Sequence, residues 1–344
     1  MDAPPPSVEI RAYRPGDEEA ILACFNRVFA RENPNFVPRT LAHWRWKFRD
    51  NPCGNRIVLA VTEGGEIVAH YAALPVRAMF RGGPVTFHQG IDSMADPRFR
   101  RLAFARGEGG ERGPSLFAQA GRRLIERWGL SGIDKFGYGL PIPIAWRIGR
   151  EWMGYEVIRT LLLLFAEVGK EDRGAGAGEI TVEEVADIPS ETDLLWERAR
   201  PEWEAASVRD ARYLRWRYVE HPDLRYRIAL ARGAEGGLRG LAVYRRGEFS
   251  DRDQGLLVEW LVPRGEEEAA RALLSWARAC ARPETDRLAA VFPETSPWFL
   301  FLQKEGFLVE GTKYILVGRN YHGPEDATWF RKNWYFTLGD FDVA

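Results

Sequence analysis

No stretch of this chain is apolar for long enough to cross a membrane as a helix. The longest such run, Thr160–Ala166 with four leucines, falls far short of the ~20 residues a span needs. Cysteine is scarce: Cys24, Cys53 and Cys280 are odd in number and widely scattered, which excludes a disulfide scaffold and a zinc cluster and fits a reducing cytosol. Neither sign of charge prevails, with 48 basic residues against 49 acidic and a net charge of −1. That balance provides no global field for nucleic acid or an anionic membrane, so no nucleic-acid partner is expected. The acidic, proline-rich N-terminus predicts no signal peptide. The expectation is a cytoplasmic protein that uses no metal.

What is present is a repeat. His43–Pro52 (HWRWKFRDNP) returns 170 positions later as Tyr213–Pro222 (YLRWRYVEHP). Arg45/Arg215, Trp46/Trp216 and Pro52/Pro222 are identical, and most other pairs keep ring, apolar or charge character. A solenoid repeats every ~20 to 50 residues, so a period of 170 predicts one globular domain written twice. The 344-residue length agrees with two domains. Gly169–Gly178 (GKEDRGAGAG) reads as a flexible connection. The expected boundaries are 8–168 for the first domain, 169–178 for the linker, 179–320 for the second domain and 321–344 for an aromatic tail.

Both halves read as mixed α/β. In the first, a strand at Val8–Tyr13 is followed by an amphipathic helix at Glu18–Arg31 and a short helix capped by Thr40. Strands at Arg56–Thr62 and Glu66–Leu74 flank a Gly64-Gly65 turn, a hairpin signal. A long strand at Pro84–Met94, a helix at Ser115–Trp128, a strand at Ile133–Leu140, a helix at Pro143–Trp152 and a strand at Val157–Val168 complete the half. The second half repeats this order, and Gly154-Tyr155 reappears as Gly306-Phe307. A glycine there suits a helix C-cap.

This order of elements, with its Pro-x-x-Arg and Gly-rich loop after the long strand, resembles the GNAT superfamily of acyl-CoA-dependent N-acyltransferases. The resemblance spans nearly the whole chain in two copies, a plan shared by N-myristoyltransferases, FemABX-type aminoacyl transferases, mycothiol synthase and the enhanced-intracellular-survival acetyltransferases. It implies two tandem GNAT-like domains, each a mostly antiparallel sheet flanked by helices. The implied activity is transfer of an acyl group from acetyl-CoA or another acyl-CoA to the amine of a small molecule. A non-catalytic binding protein that kept the fold is an alternative, as is FemABX-type aminoacyl transfer.

By the resemblance, the end of the long strand meets the thioester and pantetheine, which selects Met94 and Ala95. The loop that follows and the helix start present backbone amides to the pyrophosphate. In this sequence those positions are Arg100, Arg101, Arg106, Gly107, Gly109, Gly110, Gly113 and Ser115. Alanines 103 and 105 stand where the family has glycines, and an exposed loop in which Glu108 and Glu111 offset the arginines is the plainer alternative. The second half has one glycine here and three carboxylates, Glu266–Glu268, on the first helical turn, which would repel a pyrophosphate. The cofactor is therefore expected in the first half.

The family's usual acid, a tyrosine four residues before the Gly-aromatic pair, is replaced by Arg150 and Leu302. Asp92 and Tyr138 are the catalytic candidates that remain, with His70 and His88 behind them. The resemblance adds the C-terminal α-carboxylate of Ala344, or Asp340 or Asp342, as a base. The competing reading of the tail is packing of Trp334, Tyr335 and Phe336 across the joint between the domains.

Overall fold

The structure is a computed structural model and describes residues 7–32, 36–99, 113–169 and 179–342. Its elements follow the expected order. The first half holds β1 (Val8–Ala12), α1 (Glu18–Glu32), α2 (Leu41–Trp44), β2 (Arg56–Thr62), β3 (Ile67–Phe80), β4 (Gly83–Ala95), α3 (Leu116–Leu124), β5 (Phe136–Gly139), α4 (Pro143–Met153) and β6 (Glu156–Glu167). The second holds β7 (Thr181–Val185), α5 (Thr192–Ala199), β8 (Ala205–Ser207), α6 (Ala211–Leu214), β9 (Arg227–Arg232), β10 (Leu238–Phe249), β11 (Arg252–Leu261), α7 (Glu267–Ala281), β12 (Arg287–Ala290), α8 (Pro297–Lys304) and β13 (Leu308–Asn320). A short α9 (Ala327–Asn333) and β14 (Trp334–Tyr335) follow. Among the described residues no helix is long and apolar enough to cross a membrane.

The chain forms two compact units that exchange segments. The first contains Met1–Val76, Thr86–Val157 and Val317–Ala327; the second contains Arg77–Val85, Ile158–Leu316 and Thr328–Ala344. In the first unit β1, β2, β3 and β4 run antiparallel in that order, β5 joins β4 in parallel, and the end of β13 closes the sheet against β5. Alternation along β2 serves two faces. Ile57 and Leu59 pack with Ile21, Phe25, Val28, Trp44 and Phe48 of α1, α2 and the turn after α2. Val58 faces the other way, onto Ala120 and Leu124 of α3, with Met153 of α4 in the same cluster.

The second unit repeats the plan. Strands β7, β9, β10 and β11 are antiparallel, β12 joins β11 in parallel, β6 pairs with β12, and β13 follows β6. The repeat signature adopts one conformation twice: α2 and α6 each run into a widened π-type turn, Arg45–Arg49 and Arg215–Val219. Trp46 and Trp216 are buried in both.

The domain boundary differs from the expected one. β6 was placed with the first domain, yet from Ile158 it lies in the second unit, and the last residues of β13 lie in the first. β6 thus belongs mainly to the second unit's sheet, and only Val317–Asn320 of β13 joins the first unit's. A strand's partner is set by tertiary pairing, and nothing in the period-2 pattern of an apolar strand names it.

Candidate active site

The site is built where two strands part. β4 and β5 pair over only three positions, Phe87–Gln89 with Phe136–Tyr138, and β4 then runs on to Ala95 without β5, with β3 on its other edge. Just past the paired positions stand two glycines: a Cβ on Gly139 would lie 3.3 Å from the Gly90 carbonyl oxygen, so a side chain there would push the strands apart. Past this point Asp92 takes a left-handed backbone, φ 48°, a strained conformation for a residue other than glycine. Beside the exit of β4 opens a cavity of about 430 Å³. Met94 and Ala95 line it from β4, Ser115 and Leu116 from the start of α3, Ile142 and Ile144 from the start of α4, and Val28 and Phe29 from α1.

The helix start is well formed. Ser115 is extended, φ −63° and ψ 161°, and its hydroxyl accepts from the Ala118 N–H. The other N–H groups of the first turn have no intrahelical acceptor, the property that makes helix starts anion sites. The expected residues Met94, Ala95 and Ser115 are thus brought to one cavity, with Gly113 two residues before the cap. Arg100, Arg101, Arg106, Gly107, Gly109, Gly110 and Ala344 lie outside the described residues.

Asp92 sits in a cation cluster. Its carboxylate is paired with Arg39 and, at 3.3 Å, with the buried ammonium of Lys47. Burial alone would raise its pKa, but Lys47 and then Arg39 overcome that and hold it at about 2. A carboxyl so acidic is a weak base. Its backbone carbonyl accepts a hydrogen bond from His70 Nδ1 at 2.8 Å, so the tautomer carries its proton there. Burial lowers the His70 pKa, and Nε2 has no hydrogen-bond partner among the described residues.

The other candidates lie elsewhere. Tyr138 is buried within β5, its ring stacked on Phe136, and it is not among the described residues that line the cavity. His88 joins a buried chain: Nδ1 meets Asp134 at 2.8 Å and Nε2 meets the Tyr321 hydroxyl at 3.1 Å, while Arg56 donates twice to Asp134 at 2.9 Å. That chain fastens the returning segment after β13 within the first unit. Asp96, at the rim of the cavity, is held by Arg98 and Arg27. Burial raises its pKa, and hydrogen bonds from Arg98 and then Arg27 bring it to about 2. Arg39, Lys47 and Asp134 escaped the sequence reading.

In the second unit the corresponding opening is filled. β11 pairs with β12 only at Gly255–Leu257 and continues to Leu261. Against that continuation lies the C-terminal segment. The Tyr335 hydroxyl donates to the Trp260 carbonyl at 2.8 Å, and Thr337 donates to Glu259 at 3.1 Å. Asp340, a candidate base, is buried in an ion pair with Arg209. Trp334, Tyr335 and Phe336 pack inside the second unit, where a bridge across the joint was expected.

Comparison with known proteins places this geometry. Residues 9–107 match the family model of the acetyltransferase (GNAT) domain. No curated protein matches the sequence. Among solved structures, a conserved protein from Enterococcus faecalis V583 aligns over 94% of this chain and 74% of its own, with TM-score 0.67 at 13% identity. A GCN5-related N-acetyltransferase from Anabaena variabilis aligns over 92% and 73%, with TM-score 0.64 at 10% identity. An N-myristoyltransferase from Saccharomyces cerevisiae with bound myristoyl-CoA aligns over 94% and 86%, with TM-score 0.54 at 13% identity. The chain is therefore a tandem of GNAT-like folds, and the family model falls on the unit that holds the open cavity.

Proposed function

We propose that this tandem GNAT-like chain is an acyl-CoA-dependent N-acyltransferase that holds one thioester, acetyl-CoA or another acyl-CoA, in its first unit and acylates a small-molecule amine. The observation that carries the reading is the cavity beside the exit of β4, which has the end of that strand on one side and the start of α3 on another. Pantetheine amides would pair with the β4 edge that β5 leaves after Gln89, and the phosphates would approach the first N–H groups of α3.

The reaction forms one N–C bond and breaks one C–S bond. The amine attacks the thioester carbonyl, the tetrahedral centre collapses, and coenzyme A leaves as a thiolate. The amine loses one proton and the thiolate gains one. Asp92 and Asp96, both near pKa 2, are poorly matched to accept a proton at neutral pH. Asp92 instead holds the kink of β4 through Arg39, Lys47 and its own carbonyl bond to His70. Amine deprotonation is thus assigned to the acceptor's own ionisation in water.

The test measures melting of the full chain with coenzyme A, acetyl-CoA and longer acyl-CoAs, and thiol release from each in the presence of amines. The reading predicts a melting shift with coenzyme A and thiol release that needs an amine. Its kcat/KM should rise tenfold per pH unit towards the pKa of the amine. No shift and no release from folded protein would refute the reading, and a break in that profile between pH 6 and 8 would refute deprotonation by the acceptor's own ionisation.

A further inference from the structure

The cavity beside the exit of β4 is lined from both faces of the sheet. Ala95 lies on the α3 side, packed in one cluster with Leu116. Met94 lies on the α1 side, in the cluster that holds Val28 and has Phe29 packed against it. Phosphates that approach the start of α3 use the first side. The α1 side is left for another part of the ligand.

The chemistry of the lining says which part. Among the described residues that line the cavity, only Ser93, Asp96 and Ser115 have polar side chains, and each is already engaged within the protein. The Ser93 hydroxyl donates to the Ile91 carbonyl at 3.0 Å, and the Ser115 hydroxyl caps α3. The Asp96 carboxylate accepts from the Arg98 backbone N–H and from Arg27, both at 2.9 Å. On the α1 side the wall is Val28, Phe29 and Met94, with Val28 and Met94 each 4% exposed. The Phe29 ring is stacked on Phe25 at 4.3 Å, which holds it in place. A phosphate, a sugar or a peptide amide buried against that wall would lose its water and gain no hydrogen bond, whereas an alkyl chain gains from the same burial.

The size of the space adds to this. An acetyl thioester carries a single methyl into it and would leave an apolar void, whose lining forfeits its contacts and which holds no water. A dry apolar cavity of about 150 Å³ takes a benzene, with its six carbons. At that packing, half of the 430 Å³ here takes a chain of about six to eight carbons, and the other half remains for the pantetheine arm.

We propose that the donor is a medium-chain acyl-CoA, whose alkyl chain of about six to eight carbons lies against Val28, Phe29 and Met94. This rests on the acyltransferase reading and narrows its thioester to one class.

Isothermal titration of the full-length chain reads the preference, with coenzyme A and with acetyl-, butyryl-, hexanoyl-, octanoyl-, lauroyl- and palmitoyl-CoA below their micelle concentrations. Kd should fall about two- to fourfold per methylene up to hexanoyl or octanoyl, and then level off or rise by lauroyl as the chain outgrows the cavity. Val28→Phe fills the α1 side and should move the tightest-binding chain to a shorter length. Phe29→Ala opens that side and should move it to a longer one. A general loss of stability does not produce opposite shifts, and the wild-type series stands without either variant. Equal Kd from acetyl to octanoyl overturns the proposal, as does tightest binding of acetyl-CoA. A Kd that keeps falling through palmitoyl, alike in wild type and both variants, also overturns it, because that is adsorption to exposed apolar surface. When coenzyme A binds and chain length has no effect, only this proposal falls. When neither coenzyme A nor any thioester binds the folded protein, the acyltransferase reading falls with it.

Discussion

Replacing Arg209 by methionine should destabilise the second unit severely. The side chain is wholly buried and serves three acceptors: Glu259 at 2.9 Å, Asp340 at 2.5 Å and the Ser207 carbonyl at 2.9 Å. Methionine fills much of the volume but leaves two buried carboxylates without this cation. Breaking a buried pair from one side costs about 3 to 5 kcal/mol. At roughly 2 to 4 °C per kcal/mol for a unit of this size, the transition of the second unit should fall by roughly 6 to 20 °C. Differential scanning calorimetry and urea unfolding followed by circular dichroism would measure it. A triple variant, Arg209→Met with Glu259→Gln and Asp340→Leu, should recover most of the loss, because it removes the stranded charges too. A loss under about 1 kcal/mol in the single variant, set against that expected cost, would refute the view that this cluster fastens the tail.

Three further outcomes follow from the same geometry. The pKa of Asp92 is depressed on folding from 3.8 to about 2, so its stabilisation is full above pH 4 and is lost as pH falls towards 2. It amounts to about 2 kcal/mol, and in acid titration the loss of stability should be smaller by that amount in Asp92→Asn than in wild type, the share of Asp96 remaining in both. Ala145→Trp on α4 would place a large ring in the cavity and should weaken coenzyme A binding more than tenfold in calorimetric titration, with the melting temperature nearly unchanged. Gly339→Val would set a Cβ 2.0 Å from the Tyr218 hydroxyl and 3.0 Å from the Val258 carbonyl. Overpacking of this kind costs about 1 to 3 kcal/mol, and hydrogen exchange should rise in residues 334–341 and 255–262 together.

The architecture was largely legible in the sequence because the repeat is a physical one. Trp46 and Trp216 are buried alike, and the turns around them are the same turn. Thr40 caps its helix as its side-chain chemistry requires, accepting from the His43 N–H. Met94, Ala95 and Ser115 share one cavity, and their places at a strand exit and a helix start leave local marks in the sequence. The closing strands were not legible, since β6 and the end of β13 look alike whichever sheet they complete. Tyr138 and Asp92 share the hydroxyl and carboxylate chemistry of catalytic groups, but the burial of one and the ion pairs of the other depend on residues far away in the chain. A signal for the cation cluster was available. Extending the repeat by four residues aligns Arg39 with Arg209, and their shared place before a helix cap separates them from the chain's many surface arginines.

Isothermal titration of the full-length chain with coenzyme A tests the central claim most directly. One equivalent should bind, at a site lost in Ala145→Trp and retained in Gly339→Val. Two equivalents would contradict a second unit filled by its own C-terminal segment, and no binding by folded protein would contradict the cofactor cavity in the first.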